Sequence, residues 1–314
     1  MTVEIRPASA ADSPSIRRLF AKVFGVEMSS EEWEWKFARN PDGWLGMIAV
    51  AQGQVVGNFA GWGMRFRLAG EEKLLYSVGD LATDPSVRSF GGSRGIYRRM
   101  ADAFYEAVFA RGVPFCFGFP NPHSLAISHH VVGTRNLFPI REVHVPCEAF
   151  PAPSSATGAG DFVGETFDAL WQEASCHLSW AAVRDRARAN WRFHARPTRY
   201  YRMVWRESGG QMQSWAVLSV LGEQAILADY LCRRPDGSDL PDLFAIAAAE
   251  AAKMGAKTLV FWDTPGGPGS TLPACLPGER RDAGFPLIVR VRDEDLCARF
   301  AEQVALTPAM YDIV

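Results

Sequence analysis

Between Tyr76 and Met100 the chain reads Tyr-Ser-Val-Gly-Asp-Leu-Ala-Thr-Asp-Pro-Ser-Val-Arg-Ser-Phe-Gly-Gly-Ser-Arg-Gly-Ile-Tyr-Arg-Arg-Met. An apolar strand pattern runs into a loop rich in glycine and arginine, and a helix pattern begins at once. Backbone N–H groups at a helix start lack intrahelical partners, and the helix dipole favours anions there. Gly91, Gly92 and Gly95 let a phosphate approach the backbone, and Arg88 and Arg94 can add charge-assisted hydrogen bonds. A diphosphate suits such a loop. The Lys-Ser/Thr of a nucleoside-triphosphate loop is missing, as is the Gly-x-Gly-x-x-Gly spacing of a dinucleotide fold.

The strand, the turn Asp84-Pro-x-x-Arg88, the glycine-rich loop and the Gly95-Ile96-Tyr97 helix start resemble the acetyl-CoA-binding motif of the GNAT superfamily of N-acyltransferases. In that family Gln/Arg-x-x-Gly-x-Gly/Ala holds the CoA pyrophosphate on backbone amides. Two alignments are open. Arg88-x-x-Gly91-x-Ser93 keeps the arginine, with Ser in the last small position. Arg94-Gly95-Ile96-Tyr97 keeps the helix start but puts Gly92 where Gln/Arg belongs. The resemblance therefore implies a pyrophosphate site among Arg88, Gly91, Gly92, Ser93, Arg94, Gly95 and Ile96. It further implies that the backbone amides of Leu81 and Thr83 polarise a thioester carbonyl and pair with pantetheine. Asn121 and Ser124 match the family's Asn-x-x-Ser/Ala beside the pantetheine arm. The family's tyrosine, which protonates the departing thiolate, is replaced by His129, four residues before Gly133. Histidine can also donate a proton near neutral pH, although a plain polar helix residue is the competing reading.

Acylation of an amine also needs a group that takes its proton. By resemblance this is Asp80, with Glu142 and His144 as alternatives; a strand aspartate can equally brace its own loop. Cys116 falls in an apolar strand, which disfavours an acyl-cysteine and favours direct attack. The implied co-substrate is acetyl-CoA or another acyl-CoA, the acceptor a primary amine on a small molecule or peptide, and no metal is required. Two other readings compete. One is a catalytically silent acyl-CoA-binding protein, and the other a tandem aminoacyl-tRNA-dependent transferase of the peptidoglycan type. Trp33, Trp35, Trp44 and Trp62 are expected in core or inter-domain packing rather than in a substrate cleft. Arg184, Arg186, Arg188 and Arg192, with Asp185 among them, read as a solvated helix face.

The elements that must position these residues follow from periodicity. Thr2–Arg6 alternates as a strand, and Ser9 or Asp12 caps a helix with Ile16, Leu19, Phe20 and Val23 on one stripe. Strands are predicted over 46–51, 55–67 and 74–83, with Gly53-Gln54 as a hairpin turn. A helix with Ile96, Met100, Phe104 and Val108 precedes a strand at 115–119, a helix after Pro122 and a strand at 138–145. Pro151–Gly160 is the expected linker. Beyond it the pattern repeats: Trp35-Lys36-Phe37 with Pro41 returns as Trp191-Arg192-Phe193 with Pro197, and Asp80-Leu81 with Pro85 as Asp229-Tyr230-Leu231 with Pro235. The second copy has no Arg-x-x-Gly-x-Gly/Ala.

The expected fold class is α/β (α+β). It comprises two GNAT-like domains, each a mixed, mostly antiparallel central sheet flanked by helices: 1–150, a linker at 151–161, and a degenerate copy at 162–314. At 314 residues the chain exceeds one ordinary core. Its 48% hydrophobic and 22% charged content is that of a globular protein. A net charge of −2 gives no bulk attraction to nucleic acid, and the apolar runs fall short of a membrane span. The N-terminus has no apolar signal region, and six cysteines without a Cys-x-x-Cys pair suggest a reducing cytoplasm. The expected assembly is a monomer whose halves mimic a dimer, or a homodimer.

Overall fold

The structure, a computed structural model, describes residues 2–87, 95–153, 157–160, 164, 166–198, 200–234, 239–267 and 277–311. The chain opens with β1 (Val3–Pro7) and a 3-10 turn in which Arg6 and Asp12 form an ion pair at 2.6 Å. Helix α1 (Ser13–Phe24) then buries Ile16, Leu19 and Phe20. Helix α2 (Ser30–Trp33), capped by the Ser29 side chain, passes into a π-helical turn, Glu34–Ala38. The meander β2 (Trp44–Ala51), β3 (Gln54–Leu68) and β4 (Glu71–Thr83) is antiparallel. Its first turn is Gln52-Gly53, one residue earlier than predicted, with positive φ at both (49° and 74°). That is the left-handed pairing a two-residue hairpin requires.

Helix α3 (Ile96–Ala110) lays Ile96, Met100, Ala101, Phe104, Tyr105 and Val108 on the sheet at helical spacing. β5 (Phe115–Gly118), α4 (Pro122–Ile127) with a π-helical turn to Val132, and β6 (Arg135–Pro146) complete the first half. The second half runs β7 (Thr157–Gly160), α5 (Thr166–Ser175), β8 (Trp180–Ala182) and α6 (Arg186–Ala189), the last followed by a π-helical turn Asn190–His194. Next come β9 (Arg202–Ser208), β10 (Gln211–Leu221), β11 (Gln224–Cys232) and α7 (Asp239–Lys253). β12 (Thr258–Asp263), β13 (Glu279–Val291), α8 (Glu294–Gln303) and a 3-10 turn at Pro308–Met310 follow.

Among the described residues the strands form one 13-stranded sheet in the order β1-β2-β3-β4-β5-β13-β6-β12-β11-β10-β9-β7, with β8 added to β3. Neighbours are antiparallel except for β4 with β5 and β11 with β12, which are parallel. The order is palindromic about the β13–β6 pair. β13 of the second half lies against β5 of the first, and β6 of the first lies against β12 of the second. Each half thus places its last strand in the other's sheet, and the two expected sheets are continuous.

Two readings of the sequence are corrected here. The segment 151–161 is not wholly linker, because Thr157–Gly160 adds β7 to β9. Main-chain pairing needs no large side chains, and Gly158 is required: a Cβ there would meet the Trp205 ring of the paired strand at 2.2 Å. The arginines are also not a solvated face. Arg184, Arg188 and Arg192 are buried, as is Arg196 beyond them, while Arg186 stays part-exposed, and Arg184 Nε reaches Asp229 at 2.8 Å. Arg188 lies 4.4 Å from the Trp191 ring and Arg196 lies 4.8 Å from that of Trp35, so flat guanidinium groups are buried against aromatic faces. Burial lowers the Arg188 guanidinium to about 10 despite nearby Asp42.

The repeat residues meet at the centre. Trp35 and Trp191 stack with centroids 5.1 Å apart and planes 12° apart. Each indole N–H donates to the other's carbonyl, at 2.5 and 2.7 Å. Trp33 and Trp44 pack around Phe37, in line with the expected packing role. Among the described residues no helix is long and apolar enough to cross a membrane.

Candidate functional site

β4 and β5 pair in parallel only at Tyr76–Cys116 and Ser77–Phe117, and then diverge. Where they part, Gly118 passes so close that a Cβ would lie 3.0 Å from the Val78 carbonyl oxygen. Beyond this point the sheet opens, and a cavity of about 410 Å³ fills the wedge. Val78, Gly79, Asp80 and Leu81 line one side; Phe117, Gly118, Phe119 and Asn121 line the other. Volumes of this size suit small-molecule sites.

A bulge in β4 aims the residues at the wedge. Ala60 pairs with Gly79 and Asn58 with Ala82, so Asp80 and Leu81 together oppose Phe59. Asp80 sits at φ 54°, a left-handed conformation that costs a non-glycine residue about 1–2 kcal/mol. Asn58 Nδ2 stabilises the bulge by donating to the Asp80 carbonyl at 2.8 Å. The Asp80 carboxylate forms an ion pair at 2.5 Å with Lys36, whose side chain is 4% exposed and stands 4.7 Å over the Trp62 ring.

Asn121 and Ser124 reach the same cavity from α4. Asn121 caps the helix, its Oδ1 accepting from Ser124 N at 2.8 Å. Gly95 is the N-cap of the 15-residue α3, with Ile96 behind it in the core. Arg88, Gly91, Gly92, Ser93 and Arg94 lie outside the described residues. Thr83 pairs with Gly57 just beyond the bulge.

His129 is placed differently. Its Nδ1 lies 2.7 Å from the Thr134 carbonyl oxygen and its Nε2 lies 3.0 Å from Asn136 Oδ1, and it does not line the cavity. Ser128, one residue earlier on the turn, does. Ser128 hydrogen-bonds Tyr97, whose phenol burial raises to about 12; burial also raises Tyr105 beside it well above its usual value. Glu142 and His144 pair with each other on β6 at 3.2 Å, away from the wedge. Burial pushes the Cys116 thiol well up, which suppresses the nucleophilic thiolate.

Sequence reasoning missed Lys36, Tyr97, Ser128 and Tyr311. Tyr97 and Ser128 flank motif residues and could have been read from them. Lys36 belonged to the repeat Trp-Lys/Arg-Phe, a signal that was visible but without a partner. Tyr311 enters from the far end of the chain. At the corresponding place in the second half, Asp229 Oδ1 accepts from Arg184 Nε at 2.8 Å, Thr307 Oγ1 at 3.0 Å and Tyr230 N at 2.9 Å. The space beside it is about 20 Å³, room for a single water.

Residues 4–130 match the family model of the acetyltransferase (GNAT) domain. No curated protein shows significant sequence similarity to the chain. Among solved structures, a probable N-acyltransferase from Enterococcus faecalis superposes with a TM-score of 0.73 at 12% identity, covering 94% of this chain and 74% of its own. A GCN5-related N-acetyltransferase from Anabaena variabilis gives 0.68 at 12% identity, over 92% of this chain and 73% of its own. A further GCN5-related N-acetyltransferase, from Kribbella flavida, also gives 0.68 at 12% identity, over 94% and 73%. At such identity the likeness is one of fold.

Proposed function

We propose that this chain, whose residues 4–130 match the acetyltransferase (GNAT) domain, is an acyltransferase that transfers an acetyl or other short acyl group from acyl-CoA to a primary amine by direct attack. The observation that carries this reading is the cavity at the divergence of β4 and β5, polar at one mouth and acidic at the bulge. In this proposal the N-terminus of α3 and the loop residues Arg88, Gly91, Gly92, Ser93 and Arg94 hold the diphosphate, with Gly95 and Ile96 starting the helix. Asn121 and Ser124 flank the pantetheine arm, and the amides of Leu81 and Thr83 face the thioester and pantetheine. Residues 1–150 would then form the acyl-CoA-binding unit and 162–314 a copy that supports it.

The amine nitrogen attacks the thioester carbon, its proton passes to Asp80 directly or through water, and the C–S bond breaks. The departing thiolate takes a proton from the Tyr97 phenol through Ser128, and the two residues reset by exchange with solvent. Tyr97 and Ser128 thus take the donor role that the sequence suggested for His129. A phenol at about 12 stays protonated throughout the working range and remains a donor.

Acetyl-CoA at a hundredfold excess over its Kd is expected to stabilise the protein by about 2.7 kcal/mol in thermal melts. Asp80→Asn is expected to keep that stabilisation while lowering kcat/KM for thiol release by ~10²–10⁴. Undiminished turnover by Asp80→Asn would remove Asp80 from the mechanism.

A further inference from the structure

One wall of the cavity is aromatic. Phe24, Trp62, Phe119 and Tyr311 face it. Phe119 lies 5.5 Å from Tyr311 and 5.4 Å from Trp262, and Tyr311 lies 4.8 Å from Phe285. Phe24 comes from α1, Trp62 from β3, Phe119 from just after β5 and Tyr311 from the C-terminal segment, with Trp262 of β12 and Phe285 of β13 packed behind, so both halves build this wall. Tyr311 is fixed in place from behind. Arg192 Nε donates to the Ala309 carbonyl at 2.7 Å and its Nη2 to the Tyr311 carbonyl at 3.0 Å.

Charge narrows the choice of acceptor. Among the described lining residues Asp80 is the single carboxylate and Arg290 the single cation. Lys36, behind the wall, offsets the Asp80 charge at 2.5 Å. A polyamine or a polycationic amino sugar would strip water from several ammonium groups and find one carboxylate, already paired. A flat apolar body gains instead, because it covers ring faces that water wets poorly and meets aromatic neighbours at favourable angles. Resting on the acyl-CoA reading above, we infer that the acceptor is an arylalkyl monoamine, a single primary amine on a short arm carried by an aromatic ring. The ring lies against Trp62, Phe119 and Tyr311, and the amine reaches Asp80.

The test compares phenethylamine, spermidine and kanamycin as acceptors of acetyl-CoA, read as thiol release, with calorimetric binding of phenethylamine to the CoA-saturated protein. Phenethylamine is expected to exceed both polycations in kcat/KM by at least ~10-fold. Tyr311→Ala should collapse that ratio. Phe24→Ala, at a side chain 52% exposed at the cavity mouth and therefore harmless to folding, should lower it as well. A preference for spermidine or kanamycin, or a ratio unmoved in both variants, overturns the inference. If acetyl-CoA stabilises the protein yet phenethylamine neither reacts nor binds, the inference falls alone. If acetyl-CoA gives no stabilisation, the acyl-CoA reading falls and takes the inference with it.

Discussion

Asp84 closes β4 and shows how a single charge ties the loop entrance to the body of the fold. Lys22 of α1 lies 2.6 Å from its carboxylate, and Ser86 donates to the other oxygen from both backbone and side chain. These bonds, the Lys22 contact foremost, hold its pKa down to about 2. The unfolded carboxylate titrates near 4, so the folded form is favoured above that value and the stabilisation is lost as pH falls through about 2. Thermal melts between pH 4.5 and 2 should therefore show a steeper loss in the native protein than in Lys22→Met, and parallel curves would contradict this. At this scale the sequence was legible where motif residues lie near one another: Asp80, Asn121 and Ser124 all reach one cavity. It was not legible where the partner lies elsewhere in the chain. The ion pair of Lys36 with Asp80 joins a π-helical turn to a strand bulge, and no spacing rule connects them.

Strands and helices of the first half emerged from periodicity close to their predicted bounds, since alternation and the helical stripe report which face is buried. Irregular elements did not. β7 contains two glycines and no bulky side chain, so it carries no hydrophobic alternation. β13 contains Pro286, tolerated because the register with β6 shifts between Asp282 and Pro286. The π-helical turns at 34–38 and 190–194 look like ordinary helix in sequence, yet they bring Trp35 and Trp191 face to face. Replacing either tryptophan by Ala should cost about 3–5 kcal/mol in chemical denaturation, and the double variant less than the sum, with a coupling of about 0.5–3 kcal/mol. Strict additivity would mean that the stack and its paired N–H donors contribute nothing jointly.

Over the whole molecule, the duplication was readable but the exchange of last strands was not, because alternation fixes which residues face the core and leaves the neighbouring strand open. β5 is covered on one side by β13, which follows it in sequence by more than a full half of the chain. A fragment comprising 1–150 therefore lacks the strand that shields β5 and exposes its edge. It is expected to aggregate or remain unfolded by size-exclusion chromatography and circular dichroism, whereas the full chain melts in one cooperative transition. A soluble, native-like 1–150 fragment would show that β13 is dispensable.

That exchange also makes each half part of the other's surroundings. In the second half Asp229 is held by Arg184 and Thr307, and the space beside it is only about 20 Å³. Ile288 and Arg290 of β13, together with Tyr311, nevertheless line the cavity of the first half. The cavity of one half is thus walled in part by the other, so on the proposed reading a substitution in residues 162–314 can alter which acceptor fits without touching Asp80.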